Sequence, residues 1–293
     1  MNISAFVVSL FGIFASIFVM LINIYLLKNY SVGKGDMTMF YYRFAFDVLL
    51  GFTEGVLLSF TAFYSIFEEQ LIGYHNFLIY LGLPVTVSRA ARSIVTLEIS
   101  VERVIAAYKP LYYHNCKHLY STVATLLIAV GFGLTEPLVL FLFCDYKFDI
   151  KPSCAAFACA TNPCFYSYWT AHKMVIFAFT ITFTILLCVK LCISVRSGAS
   201  SNAKLSKINR LVLIDAGTVL TFDFLPSLIY NQFLMSAILN FQSIGPYGAL
   251  CKTTGNAVEG YLVFRALFRK NAESAEDTHK SERVLHVAVR TNS

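Results

Sequence analysis

Several arginines and carboxylates of this 293-residue chain fall inside long apolar runs, at spacings that let them act on one another. A charge placed in hydrocarbon is costly, so such residues face a partner or a polar cavity. Arg43 and Asp47 are four residues apart, share a helical face and can pair with each other. Arg89, Arg92 and Thr96 follow one stripe of a helix. At about 1.5 Å per residue, Arg89 lies about 18 Å from Phe77, and Asp223 about 18 Å from Leu211. Glu259 reaches a similar depth from Tyr247. These depths predict an intramembrane cluster of Arg89, Arg92, Asp223 and Glu259, with Arg89 and Asp223 as a pair. A second cluster, toward the other end of the bundle, is expected from Asn23, Arg43, Asp47 and Asn256. Two roles stay open for these groups: pairing that fixes helix packing, and contact with a ligand.

Glu102-Arg103-Val104 closes the third apolar run. An acid–arginine pair at the mouth of a bundle can hold neighbouring helices in one state and release them in another. Pro226, three residues after Asp223, is expected to kink its helix because proline lacks an N–H and its ring crowds the preceding turn. Glu102, Arg103 and Pro226 are therefore the candidate switch residues.

Other chemistries find little support. The chain has no glycine-rich phosphate loop, no metalloprotease motif and no nucleophile elbow. His172 beside Lys173 reads as an interfacial pair. No catalytic residue, metal or cofactor is expected. Four of the eight cysteines, Cys144, Cys154, Cys159 and Cys164, lie in one connection. In an oxidising compartment disulfides are the default, and four cysteines permit three pairings. A zinc site is the alternative, but no histidine lies nearby. Cys116, Cys188, Cys192 and Cys251 are expected to be free thiols.

The elements that position these residues follow from composition. Hydrophobic residues make up 57% of the chain and charged residues 14%, with a mean hydropathy of +0.64. A soluble domain carries about 25% charge, so this chain lacks the polar surface to enclose a core in water. Its solvent is the lipid bilayer. A hydrocarbon layer about 30 Å thick takes roughly 20 helical residues. Seven runs qualify: 3–27, 39–67, 77–107, 122–143, 171–195, 211–235 and 247–268. The first lacks a basic leader and a small-residue cleavage site, so it reads as an uncleaved span. The chain is expected to form an all-α seven-helix membrane domain over 1–270, followed by a disordered cytosolic tail over 271–293. Asn2-Ile3-Ser4 is a glycosylation sequon close to the membrane.

Loop charge sets the orientation. One side carries Lys28, Lys34, Lys109, Lys117, Arg196, Lys204, Lys207 and Arg210. The tail region on that side adds Arg265, Arg269, Lys270, Lys280, Arg283 and Arg290. The opposite side has only Lys147 and Lys151. Positive charge stays in the cytosol, which places the amino terminus outside and the carboxyl tail inside. This asymmetry accounts for most of the net charge of +6 without a nucleic-acid partner.

The stretch Glu98 to Asn115, containing Glu102-Arg103-Val104 and Tyr108-Lys109-Pro110-Leu111-Tyr112-Tyr113, resembles the Srbc class of nematode serpentine chemoreceptors. So do Asp36-Met37-Thr38 with Arg43-Phe44-Ala45-Phe46-Asp47, and Cys164-Phe165-Tyr166-Ser167-Tyr168-Trp169. Asn209 to Ala216, Asp223-Phe224-Leu225-Pro226 and Gly245-Pro246-Tyr247 extend the resemblance along nearly the whole chain. It implies a G-protein-coupled chemosensory receptor of the plasma membrane, in sensory-neuron cilia, with a small-molecule ligand outside and a heterotrimeric G protein inside. The chain departs from the broader rhodopsin-like pattern. The third span has no cysteine at its outer end, the sixth has Leu225-Pro226 without a cysteine–tryptophan pair, and the seventh lacks Asn-Pro-x-x-Tyr. The competing class is a small transporter or ligand-gated channel, whose permeation path would also use midplane charges. Against it, no repeat relates one set of spans to another.

Overall fold

In lipid every backbone N–H and C=O must find a partner within its own segment, so long apolar runs become helices. The computed structural model describes residues 3–29, 38–116, 122–148, 150, 154, 157–196, 203–226 and 247–290, and among them there is no strand. Seven long helices carry the fold: α1 (Ile3–Asn29), α2 (Thr38–Ile66), α3 (Phe77–Tyr108), α4 (Thr122–Leu138), α5 (Pro163–Arg196), α6 (Ala203–Val219) and α7 (Tyr247–Arg290). Short helices at Glu68–Leu71, Pro110–Cys116 and Phe157–Ala160 sit in the connections. Five segments are long and apolar enough to cross a membrane: Ala5–Asn29, Thr38–Ile66, Phe77–Tyr108, Thr122–Phe143 and Pro163–Ile193. The second half of the expected sixth span, 227–235, lies outside the described residues. The seventh begins at Tyr247 as expected. Its helix runs on to Arg290, past the expected boundary at 270, so the backbone of 271–290 is helical where a disordered tail is expected from the sequence. No glycine or proline interrupts the sequence between 261 and 290.

The helices form a closed bundle. α1 packs on α2 and α7, α2 on α3, and α6 on α5 and α7, while α3 touches α2, α4, α5 and α6. The polarity is inverted relative to a soluble protein. Phe11, Phe14, Leu21, Leu127, Leu142 and Phe179 point outward, whereas Arg43, Asp47, Glu54, Arg92 and Glu259 are buried. Exposed apolar surface of that extent marks a lipid-facing wall. Close approach of α3 and α4 depends on Gly133, where an added Cβ would lie 2.7 Å from the Val87 carbonyl oxygen.

Two apolar cores close the ends of the bundle. At the end nearest the basic connections, Leu26, Phe40, Phe44, Ile99, Leu211, Val263 and Leu267 pack together. At the opposite end Leu78, Ile79, Leu140, Cys154 and Phe165 form a cap with Phe157 and Trp169 against it. The cap is cross-linked by Cys144–Cys164 and Cys154–Cys159, with Cα–Cα distances of 5.7 and 5.8 Å. Phe157 fills the notch over Gly82 of α3, where a Cβ would overlap its ring. Cys188, Cys192 and Cys251 are free, and the side chain of Cys116 lies outside the described residues.

Two helices widen by one residue per turn beside a proline. α4 continues past Pro137 through Val139–Phe143, where the Cys144 N–H bonds the Val139 carbonyl at 2.9 Å. α6 continues through Leu220–Phe224, where the Leu225 N–H bonds Leu220. Pro226 follows immediately and has no N–H to offer the Phe222 carbonyl. The helix therefore departs from regular geometry where the sequence leads one to expect a kink. This widened turn carries Asp223.

Candidate functional site

Three helices present charged residues at two-turn intervals. Asp47 and Glu54 on α2 are seven residues apart, as are Lys252 and Glu259 on α7, and Asp215 and Asp223 on α6 are eight apart. Two turns return a side chain to the same face about 10–12 Å along the axis. Two stacked polar layers result, bridged by Arg89 and Arg92 of α3, one of which joins each layer.

The deep layer contains Arg43, Asp47, Arg92, Asp215 and Glu259. The Arg43 Nη2 donates to Asp215 Oδ1 at 2.7 Å and also contacts Glu259 Oε1. Arg92 donates through Nε to Asp47 Oδ1 and through Nη2 to Glu259 Oε2 at 2.7 Å. Glu259 thus holds one arginine with each oxygen, tying α7 to α2 and α3 together. All five residues are buried. Truncating one partner of such a pair leaves a charge uncompensated in low dielectric, which costs about 3–5 kcal/mol. Arg43 is 1% exposed, yet among the described residues its Nε and Nη1 have no hydrogen-bond partner. With two guanidiniums against three carboxylates, the layer is rich in acceptors for those donors.

The cap-side layer is less enclosed. Arg89 donates to Glu54 Oε1 at 2.7 Å, and Lys252 pairs with Asp223 at 2.9 Å. The Asp223 side chain is 39% accessible although it sits where α3, α5, α6 and α7 converge. Lys173 and Arg89 lie close enough to act electrostatically on it. Lys173 of α5 places Nζ 3.3 Å from the ring centroid of Trp169, and Lys252 approaches the same ring at 5.4 Å. His172 stands 3.1 Å from Glu136 of α4. At the far end of α3, Arg103 donates to Glu102 at 3.1 Å, and Glu102 also accepts from Tyr113 in the Pro110–Cys116 helix.

The structure divides the expected cluster of Arg89, Arg92, Asp223 and Glu259 between the two layers. The expected Arg89–Asp223 pair is replaced by Arg89–Glu54 and Lys252–Asp223, because each residue meets an opposite charge on the adjacent helix first. Arg43 and Asp47 share the deep layer as their spacing suggests, but Arg43 bonds Asp215 of α6 and Asp47 accepts from Arg92 of α3. Asn23 instead donates to the Val19 carbonyl within α1 at 2.9 Å and faces Gly260. Asn256 is half-buried on α7 and, among the described residues, bonds to neither layer. Glu54, Asp215, Lys173 and Lys252 were not anticipated as site residues. The two-turn spacing from Asp47, Asp223 and Glu259 was the available signal for three of them. Lys173 has only its position four residues after Trp169.

Over residues 1–271 the chain matches the family model described as serpentine type 7TM GPCR chemoreceptor Srbc. No curated protein matches it. A seven-helix bundle with ionic layers in its interior and a match over this length leave one placement: the chain belongs to the Srbc family of serpentine seven-transmembrane chemoreceptors.

Proposed function

We propose that this chemoreceptor detects a small molecule from outside the cell and conveys the event to a heterotrimeric G protein. The amino terminus is outside, the carboxyl end is in the cytosol, and the protein resides in the plasma membrane of a sensory cilium. The observation that carries this reading is the pair of ionic layers joining α2, α3, α6 and α7 beneath a disulfide-linked cap. Buried charge pairs have discrete arrangements rather than a continuum, so a ligand that prefers one arrangement shifts the whole bundle. The loop asymmetry in lysine and arginine supports the orientation. Glu102, held between Arg103 and Tyr113, lies at the basic end, where a G protein would dock.

The test is expression of the full chain, tagged at both termini, with a promiscuous G protein, under a panel of volatile and water-soluble cues. A cue-evoked signal is expected in wild type, with the amino-terminal tag alone reached on intact cells. Arg103→Ala is expected to abolish the signal while surface expression persists. An undiminished signal in that variant removes the role given to Arg103. A cue-gated current that persists without any G protein would instead indicate a channel.

A further inference from the structure

We propose that the cap-side layer is the ligand site and that its ligand is a small organic anion, a carboxylate on an apolar or aromatic body, received by Lys173. This deepens the receptor reading and rests on it for the direction of signalling only.

Opposite charges crowd a small space at this layer. Three cations, Arg89, Lys173 and Lys252, come from α3, α5 and α7. Arg89 is held by Glu54 at 2.7 Å, and Lys252 by Asp223 at 2.9 Å. Glu136, the remaining nearby carboxylate, lies 3.1 Å from His172 on the side toward α4. Lys173 makes no direct hydrogen bond to a carboxylate among the described residues, although Asp223 and Glu136 lie close enough to act on it electrostatically. Among the described residues its buried Nζ has no hydrogen-bond partner, and it rests on the face of Trp169. An ammonium group has three donors and no acceptor, and a ring face satisfies it only in part. A carboxylate placed between Lys173 and the nearby Lys252 would supply the missing acceptors. Space for it exists on one side, since the Asp223 side chain is 39% accessible and those of Arg89 and Lys252 are 14% and 15%. The body of the ligand would lie against aromatic walls. Phe157 meets Trp169 at 6.5 Å, Tyr166 meets it at 6.2 Å, and Phe177 stacks on Phe224 at 4.0 Å. Asp223 opposes a dianion, so the site favours a single negative charge.

Trp169 is the one tryptophan of the chain, so its emission reports this site alone. Purified full-length protein in lipid bicelles, which add no tryptophan, is titrated with phenylacetate and octanoate, and in parallel with phenylacetamide and octanamide. The expected result is a saturable change in Trp169 emission with the acids and a response about 10–100-fold weaker with the amides, the loss typical of a charge-assisted hydrogen bond. Lys173→Met should lose the preference for acids, and Lys173→Arg should keep it. Since Lys173→Met removes a buried ammonium that donates no hydrogen bond among the described residues, that variant is expected to fold with an unchanged or higher thermal midpoint. A lower midpoint would itself count against Lys173 being uncompensated. Absence of any response to the acids, equal responses to acids and amides, or an acid preference retained in Lys173→Met overturns the proposal. Saturable acid binding with no G-protein signal would leave the site standing and remove the signalling reading, and a signal indifferent to carboxylates would do the reverse.

Discussion

Replacing Arg43 with methionine tests whether the deep layer is an ionic unit. The substitution keeps an unbranched apolar stem but deletes the charge that meets Asp215 at 2.7 Å and touches Glu259. Two buried carboxylate oxygens lose their cation, and breaking a buried pair costs about 3–5 kcal/mol. Two of the Arg43 nitrogens already lack partners, so removing them recovers part of their desolvation. The lower end, about 3 kcal/mol, is therefore expected. Asp215→Asn should cost less, about 1–2 kcal/mol, because Arg43 retains Glu259. The double variant returns the layer to its original charge balance. It should fall short of the sum of the singles by about 2 kcal/mol, within the range seen for residues in contact. At about 2–4 °C per kcal/mol, Arg43→Met should lower the unfolding midpoint by roughly 6–12 °C. A thiol-reactive dye entering at Cys188 and Cys251 reads that midpoint in nanodiscs at a fixed heating rate. Strict additivity of the two substitutions would refute the pairing, and with it the claim that this layer couples α2 to α6.

The Lys252→Asp/Asp223→Lys double reversal should recover ligand response lost in either single reversal, measured by cue-evoked signalling; a double no better than the singles dismisses that pair. Gly133→Leu should sharply reduce folded yield, since a Cβ would already press on the Val87 carbonyl at 2.7 Å and backbone cannot rotate away, whereas Gly131→Leu, which meets nothing within 4 Å, should be tolerated. Size-exclusion profiles of the two variants decide it. Loss of Cys144–Cys164, which closes 20 residues, should cost about 3 kcal/mol, and loss of Cys154–Cys159, which closes 5, about 2 kcal/mol. Equal midpoints for the two serine-substituted receptors would count against loop closure as the cause.

The helices were legible because their physics is local. A run of apolar residues long enough to span lipid has one way to satisfy its backbone, so 77–107 and 122–143 agree closely with α3 and α4. The residues of the ionic layers were partly legible for the same reason, since a charge such as Asp47 or Glu259 inside such a run stands out against its neighbours. Their partners were not. Whether Arg89 turns to Glu54 or to Asp223 depends on the rotation of α3 relative to α2 and α6, which no spacing within one segment records. Depth counting placed Arg89 and Asp223 together but could not see that Lys252, only about 8 Å along α7 from Tyr247, reaches down to take Asp223. Lys173 was hidden for a different reason. A lysine near the end of a span ordinarily extends toward water, and only the ring of Trp169 shows that this one does not.

Both sulfur bridges lie between the end of α4 and the start of α5, and neither extends to α3. The roof of this receptor is therefore fastened along a single wall. Across the opposite edge Phe157 lodged over Gly82, Tyr80 stacked on Phe148, and Leu78 and Ile79 in the shared apolar core join roof to bundle by packing alone, and parting them breaks no covalent bond. A molecule heading for Trp169 could enter along that unsewn margin, while reducing agents acting on the bridges would loosen the hinge rather than the door.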